Sequence, residues 1–221
     1  MTAFTIKIIA IITMIIDHAG AVFMLSIGFR IIGRIAFPLF VYLIAEGCRH
    51  TKSMNKYMFR LGIFALISEI PFDLAFNDGN IDFFQNTNIF YTLWLGVVCV
   101  FIFKILKDID KTALWILSLI PVTLAMFVAE WISSDYGGIG VLFIFLTAVL
   151  SKHKPIQLGV MALFCYWIYM DAPLFMLIAS LLAVPIIACA NGKQGRPVKW
   201  LFYYIYPIHL LLFVIIALIF V

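Results

Sequence analysis

Apolar runs about as long as a bilayer is thick constrain this chain more than any other feature. Nine of them follow one another, at roughly 4–26, 30–48, 57–76, 89–106, 112–133, 138–151, 155–170, 172–190 and 199–220, punctuated by charge, Pro and Gly. A hydrocarbon core of about 30 Å is crossed by about 20 helical residues. Inside lipid an isolated segment satisfies all its backbone groups only as a helix. Nine spans and their short loops use nearly all of the 221 residues, leaving no room for a soluble domain. The expectation is an all-α, polytopic integral membrane bundle of about nine transmembrane helices, one domain over 1–221, multi-pass in the cytoplasmic membrane. Runs six and seven are the shortest, so one of them is expected to be re-entrant or interfacial.

Composition agrees. Apolar residues make up 65% and charged residues 12%, against about 45–50% and about 25% in soluble domains. These values exclude a disordered chain and a soluble enzyme. The net charge of +4 is scattered through apolar runs and makes no basic face, so nucleic acid is not an expected partner. Cys48, Cys99, Cys165 and Cys189 show no paired spacing and read as core thiols, with no metal expected. The first run holds Asp17-His18 and no small-residue cleavage site, so it is expected to stay as the first span.

Charge sets the expected orientation. Lys7, Arg49, Lys52, Lys56, Arg60, Lys104, Lys107, Lys111, Lys152, Lys154, Lys193, Arg196 and Lys199 all fall on one side of the nine runs, and only Arg30 and Arg34 fall elsewhere. By the positive-inside rule the N-terminus is cytoplasmic, and nine crossings put the C-terminus outside. Acidic residues show the opposite bias: Asp17, Glu69, Asp73, Asp78, Asp82, Glu130, Asp135 and Asp171 fall toward the outer side.

Several polar residues stand where lipid would be costly. A charge at the bilayer centre costs about 2.5–3.5 kcal/mol on insertion scales, and such residues face the bundle interior. Asp17-His18 lies in the outer half of the first span, about 16 Å along a helix from Lys7. A neutral imidazole there is a candidate general base; adjacent helix positions diverge by about 100°, so Asp17 need not be its partner. Arg34 on the second span needs a carboxylate. Glu69 and Asp73, i,i+4 on the third span, are the expected partners, with Pro71 expected to break that helix and free backbone groups to line a cavity. His209, in Tyr206-Pro207-Ile208-His209, is expected near the midplane. At the inner ends of spans two and three, Glu46, Arg49, His50, Lys52, Lys56 and Arg60 read as the orientation signal or as a phosphate site. No Walker A, G-x-S-x-G, H-E-x-x-H or dinucleotide fingerprint occurs. An intramembrane His, carboxylate and Arg constellation suits proton transfer coupled to group transfer, or proton-coupled transport.

Several segments resemble one family in order and spacing. They are Lys7 through Asp17-His18-Ala-Gly20; Arg30-Ile-Ile-Gly33-Arg34-Ile-Ala-Phe-Pro38; Ala45-Glu46-Gly47, His50-Thr51, Lys56-Tyr57 and Arg60-Leu61; Ser68-Glu69-Ile-Pro71-Phe-Asp73; and Gln85-Asn86 with Phe90-Tyr-Thr92-Leu. Together they look like the TraX family of membrane proteins, densely over 5–96 and loosely beyond. That family's named activity is acetylation of the N-terminus of conjugative pilin subunits. The Lys7-to-His18 spacing and Tyr206-x-x-His209 are also similar to the acyltransferase-3 membrane family, with Lys in place of its usual Arg. The lysosomal heparan N-acetyltransferase is a more distant relative in mechanism.

The resemblance implies an acyl-CoA-dependent acetyltransferase that moves an acyl group from cytoplasmic acetyl-CoA to an outer-side amine or hydroxyl. The acceptor would be a pilin-like peptide N-terminus or an envelope glycan. His18, Asp17, Arg34, Glu69 and Asp73 would form the catalytic set, and Lys7, Arg49, Lys52, Arg60 and His209 would hold the donor. A proton-coupled small-molecule transporter and a non-catalytic membrane assembly protein are the alternatives.

Overall fold

The computed structural model describes residues 1–109, 114–196 and 198–220, and side chains among these apart from 107–109, 114–116 and 199. Lys107, Lys111 and Lys199, part of the charge argument, lie outside the described side chains. The described residues form eleven helices: α1 (Ala3–Val22), α2 (Ile27–Gly33), α3 (Ala36–His50), α4 (Met54–Phe76), α5 (Ile89–Ile109), α6 (Leu114–Trp131), α7 (Gly137–Val149), α8 (Lys154–Tyr169), α9 (Leu174–Leu181), α10 (Ala183–Ala188) and α11 (Lys199–Phe220). No strand occurs among them. They make nine rods, because α2 with α3 and α9 with α10 are each one rod interrupted by a short break.

Four stretches are long and apolar enough to cross a membrane: Ala3–Val22, Ile27–His50, Ile89–Leu106 and Trp200–Phe220. Helix α4 has the length but carries Lys56, Arg60, Glu69 and Asp73. It runs unbroken through Pro71, which corrects the expected break. A proline removes one backbone donor, and in a packed bundle neighbouring groups re-satisfy what that frees. Outward faces keep large apolar side chains exposed, among them Phe59, Leu124, Phe127 and Leu218, as on a protein whose solvent is hydrocarbon.

Helix α7 lies inside the bundle, with no exposed residue. It has 13 residues, about 20 Å at 1.5 Å each, too short to cross about 30 Å of hydrocarbon alone. Its Val141, Phe143, Ile144, Phe145 and Thr147 are buried. Two acceptors outside the helix secure its start. Gly137 N–H donates to Ser134 O at 2.7 Å, and Gly138 N–H to Glu130 Oε1 at 2.8 Å, placing a carboxylate at a helix N-terminus where the dipole favours it. Glycine is required at 137, where φ is +49° and a Cβ would press on the Glu130 carboxylate.

The rods alternate in direction, so the bundle has two ends. At one end the N-terminal segment pairs with the 189–195 loop: Ala3 N–H donates to Lys193 O at 2.9 Å, Phe4 N–H to Gln194 O at 3.0 Å and Asn191 N–H to Met1 O at 2.9 Å. The Lys193 and Gln194 carbonyls satisfy amides that the first turn of α1 leaves without helical partners. At the same end Lys104 Nζ donates to Cys48 O at 2.5 Å, and Lys154 Nζ to Ala188 O and Ala190 O. Cationic side chains at helical C-termini favour the macrodipole. The opposite end carries the turns 23–26, 77–88, 132–136 and 170–173, and the polar residues of interest gather there. Cys48, Cys99 and Cys165 are buried thiols as expected, whereas Cys189 is exposed on the loop that meets the N-terminus.

Candidate active site

Arginines 30 and 34, one helical turn apart, reach the same carboxylate. Arg30 Nη1 lies 2.8 Å from Asp17 Oδ2, and Arg34 Nη2 lies 2.6 Å from Asp17 Oδ1. Arg30 also donates to the Asp17 carbonyl at 3.1 Å, and Arg34 Nε to the Arg30 carbonyl at 3.0 Å. The close approach of α2 to α1 makes this possible: at Gly33 a Cβ would collide with the Asp17 carboxylate, and at Gly20 one would meet the Phe29 side chain 2.5 Å away. Gly33→Ala is therefore expected to displace Asp17 and cost about 1–3 kcal/mol, the range for overpacking. Thermal melts of the detergent-solubilised protein check it; an unchanged midpoint would contradict the tight α1–α2 contact.

The expected pairing of Arg34 with Glu69 and Asp73 is thereby corrected. Those carboxylates have other work on the same helix. Glu69 is fully buried; its Oε2 accepts from the Asn88 backbone N–H at 3.1 Å and from the Asn88 side-chain amide. Asn88 also donates to Ala65 O at 2.8 Å and accepts from Phe90 N–H at 2.9 Å. Glu69 thus anchors the start of α5 to α4, again a carboxylate at a helix N-terminus, and its Oε1 has no partner. Asp73 organises the following loop. Its carboxylate accepts from Asn77 Nδ2 at 2.6 Å and from Asp82 N–H at 2.9 Å.

Histidine 18, next to Asp17, turns toward α11 rather than α2. Its Nδ1 lies 2.7 Å from His209 Nε2, with the ring planes within 6° of parallel. His209 Nδ1 lies 2.6 Å from Ile205 O. A carbonyl oxygen only accepts, so with both imidazoles neutral His209 Nδ1 carries the proton and its Nε2 offers a lone pair. His18 Nδ1 must then donate to it, which leaves His18 Nε2 unprotonated and basic. Tyr206 and Phe76 meet the His18 ring edge-on, at centroid distances of 5.7 and 5.5 Å. His209, expected among donor-binding residues, belongs structurally with His18.

A cavity of about 380 Å³ opens here, lined by Asp17, His18, Arg30, Arg34, Phe72, Phe76, Asp135, Tyr136, Ile168 and Tyr169. Helices α1, α2, α4 and α8 and the 132–136 turn contribute to it. Several departures from helical backbone shape that turn: Ser133 and Tyr136 have φ of +46° and +64°, conformations uncommon outside glycine and often kept at working sites. Asp135 N–H donates to Thr87 O at 3.0 Å. Thr92 Oγ1 donates to Ser134 Oγ at 3.0 Å and contacts the Asp135 carbonyl. Tyr136 stacks on Phe37 with centroids 3.6 Å apart.

Sequence reasoning missed Arg30, Asp135, Tyr136 and Tyr169 as site residues. The run Ser133-Ser134-Asp135-Tyr136-Gly137-Gly138 carries a turn signal that marks the first two positions around it, while Tyr169 reads as an interfacial aromatic. Among the donor-site candidates, Lys7 is half-buried on α1, and Lys52 is exposed at the opposite end of the bundle. Arg49 and His50 share Glu46, at 3.4 and 3.3 Å. Arg60 lies over the rings of Tyr57 and Tyr203 at 5.9 and 6.0 Å and, with Asn55, Lys56 and Phe59, lines an open recess. The basic cluster and the histidine cavity therefore occupy opposite ends of the molecule. Among the described residues no group of His, Cys, Asp and Glu is arranged to hold a metal.

The family model described as TraX protein matches residues 3–217. A curated relative from Dichelobacter nodosus, bearing the name "Probable fimbrial assembly protein FimC, serogroup H1", is 27% identical over 241 aligned residues, covering 96% of this chain and 93% of the relative. No solved structure matches. The His18 and Arg34 segments, which carried the resemblance, fall inside the matched range, and with nearly the whole chain aligned to one family model the chain belongs to the TraX family.

Proposed function

We propose that this membrane protein is an acyl-CoA-dependent acyltransferase of the cytoplasmic membrane, moving an acetyl group from cytoplasmic acetyl-CoA to an amine or hydroxyl on the outer side. The observation that supports this reading most is the His18–His209 pair. A histidine held in one tautomer by a second histidine, itself tied to a backbone carbonyl, lines a cavity walled by two arginines. In this reading His18 Nε2 takes the proton from the acceptor as the acceptor attacks the thioester carbonyl, and returns it to the departing thiolate. General-base help of this kind is worth about 10²–10⁴-fold. The Asp17–Arg30–Arg34 knot holds the wall in shape and keeps the potential there positive where negative charge develops. The basic end would receive the CoA phosphates through Lys52, Lys56 and Arg60, with Lys7 on the path between the ends.

The test is transfer from radiolabelled acetyl-CoA by the full chain in proteoliposomes, offered both a peptide with a free N-terminus and amino-sugar or glycan acceptors. Transfer to any of them supports the reading. Absence of both transfer and CoA binding in a folded preparation overturns it.

Orientation is part of the proposal: nine crossings with a cytoplasmic N-terminus. A single cysteine at position 80 should react with an impermeant maleimide only from outside, and one at position 52 only from the cytoplasm. The reverse pattern would exchange the donor and acceptor faces and defeat the mechanism. The relative's name supports a second reading, a non-catalytic role in surface-fibre assembly. Assembly that survives His18→Ala in a stably inserted protein would favour it.

A further inference from the structure

Two phenols in the cavity wall have no role in the chemistry so far. The Tyr136 and Tyr169 hydroxyls approach each other at 3.4 Å, long against about 2.7–2.8 Å for a good O–H···O bond. They come from distant parts of the chain, the start of α7 and the end of α8, and each ring is held. Tyr136 stacks on Phe37 at 3.6 Å in a left-handed backbone conformation. Tyr169 is 6% exposed, with the Arg34 guanidinium 5.9 Å from its ring centroid. Both line the same cavity as His18. Whichever hydroxyl donates to the other, one O–H proton remains for a third atom, and an oxygen seated between them would receive both.

We propose that Tyr136 and Tyr169 form a two-phenol oxyanion site that binds the carbonyl oxygen of the acyl donor. The inference rests on the acyltransferase reading and adds the electrophilic half of its site. In the step, the acceptor nitrogen or oxygen bonds to the thioester carbon while its proton passes to His18 Nε2. The carbonyl π electrons move onto oxygen, where the two phenols donate to the new negative charge. Collapse re-forms the C=O, breaks the C–S bond and returns the proton from His18 to the CoA sulfur. The protein ends unchanged. Rigid donors aimed at a developing oxyanion act strongly in a site that excludes water, because no reorganisation is needed during reaction. The nearby Arg34 charge assists the phenols without having to leave Asp17.

The experiment uses the full chain in nanodiscs with acetyl-CoA, following free thiol release and acetyl transfer together. Tyr136→Phe and Tyr169→Phe keep both rings and their stacking. Each should lower kcat by about 10-fold or more and the double variant by about 10²–10³-fold, with KM for acetyl-CoA and the melting midpoint unchanged. Replacing Tyr169 with a difluorotyrosine, a stronger donor, should keep kcat at or above the parent level below the new phenol's ionisation. A phenol with only a packing role would tolerate both changes. A double Phe variant turning over within about threefold of the parent, while His18→Ala is dead, overturns this assignment and leaves the acyltransferase reading standing. A parent protein that neither binds CoA nor transfers acetyl overturns both.

Discussion

His18→Ala is expected to reduce acyl transfer by at least about 10²–10⁴-fold, the contribution of a positioned general base, while the protein remains folded and still binds CoA. The expectation follows from the hydrogen-bond order. Ile205 O fixes the His209 proton on Nδ1, and His209 Nε2 fixes the His18 proton on Nδ1, so the only nitrogen free to act is His18 Nε2. His209→Ala should do less, because it removes the orienter and leaves the base. A loss of about 10-fold fits a residue that selects one of two tautomers and holds the ring in place. Single-turnover measurements with labelled acetyl-CoA, run beside CoA titrations, separate the two effects. A His18→Ala protein that still transfers acetyl at the parent rate would remove the general-base role from this cavity altogether.

Asp17→Asn is expected to be the most destabilising of the conservative substitutions at this end. It leaves Arg30 and Arg34 facing each other without their shared carboxylate. Arg34 and Asp17 are only 16% and 14% exposed, whereas Arg30 is 34% exposed, so water screens the Arg30 pair and most of the cost comes from Arg34. Breaking a buried pair by removing one partner costs about 3–5 kcal/mol, against about 0–1 kcal/mol for a surface pair. Removing the guanidinium charges as well, in Asp17→Asn combined with Arg30→Gln and Arg34→Gln, should recover much of the stability and none of the activity. Melting midpoints of the parent, the single and the triple variant, measured in the same detergent, decide this. An Asp17→Asn protein that melts with the parent would show the knot to be no more than a surface ion pair.

Periodicity and length alone gave the nine rods among the described residues their number and near-correct bounds, because in hydrocarbon a segment of about 20 apolar residues has no alternative to a helix. Two rods nevertheless contain breaks, at Arg34-Ile35 and at Leu182; the first holds one arginine in an otherwise apolar run, and at the second apolar character continues through with no change in hydropathy. Charge placement separated the basic end from the acidic one, and the cost of polar groups in lipid singled out His18, Arg34, Glu69, Asp73 and His209. That cost says a polar residue must have a partner; it does not say which.

Partners were decided by the tertiary structure. In one dimension Glu69 and Asp73 are the expected counter-ions for Arg34, yet chain spacing does not set Asp17 aside. The close α1–α2 approach that Gly33 allows gives Arg34 to Asp17, and Glu69 is taken by Asn88 at the start of α5. His18 and His209 are 191 residues apart, and nothing in either segment encodes the other's rotation about its helix axis. The cavity wall likewise includes Asp135 and Tyr136, brought there by a turn with two left-handed non-glycine residues. Sequence by itself determined that this chain is a bundle of apolar helices with a few polar residues that must meet. Which of them meet was left to helix rotation and close packing, because a 3.6-residue repeat fixes the face a side chain occupies and not the helix that face will find.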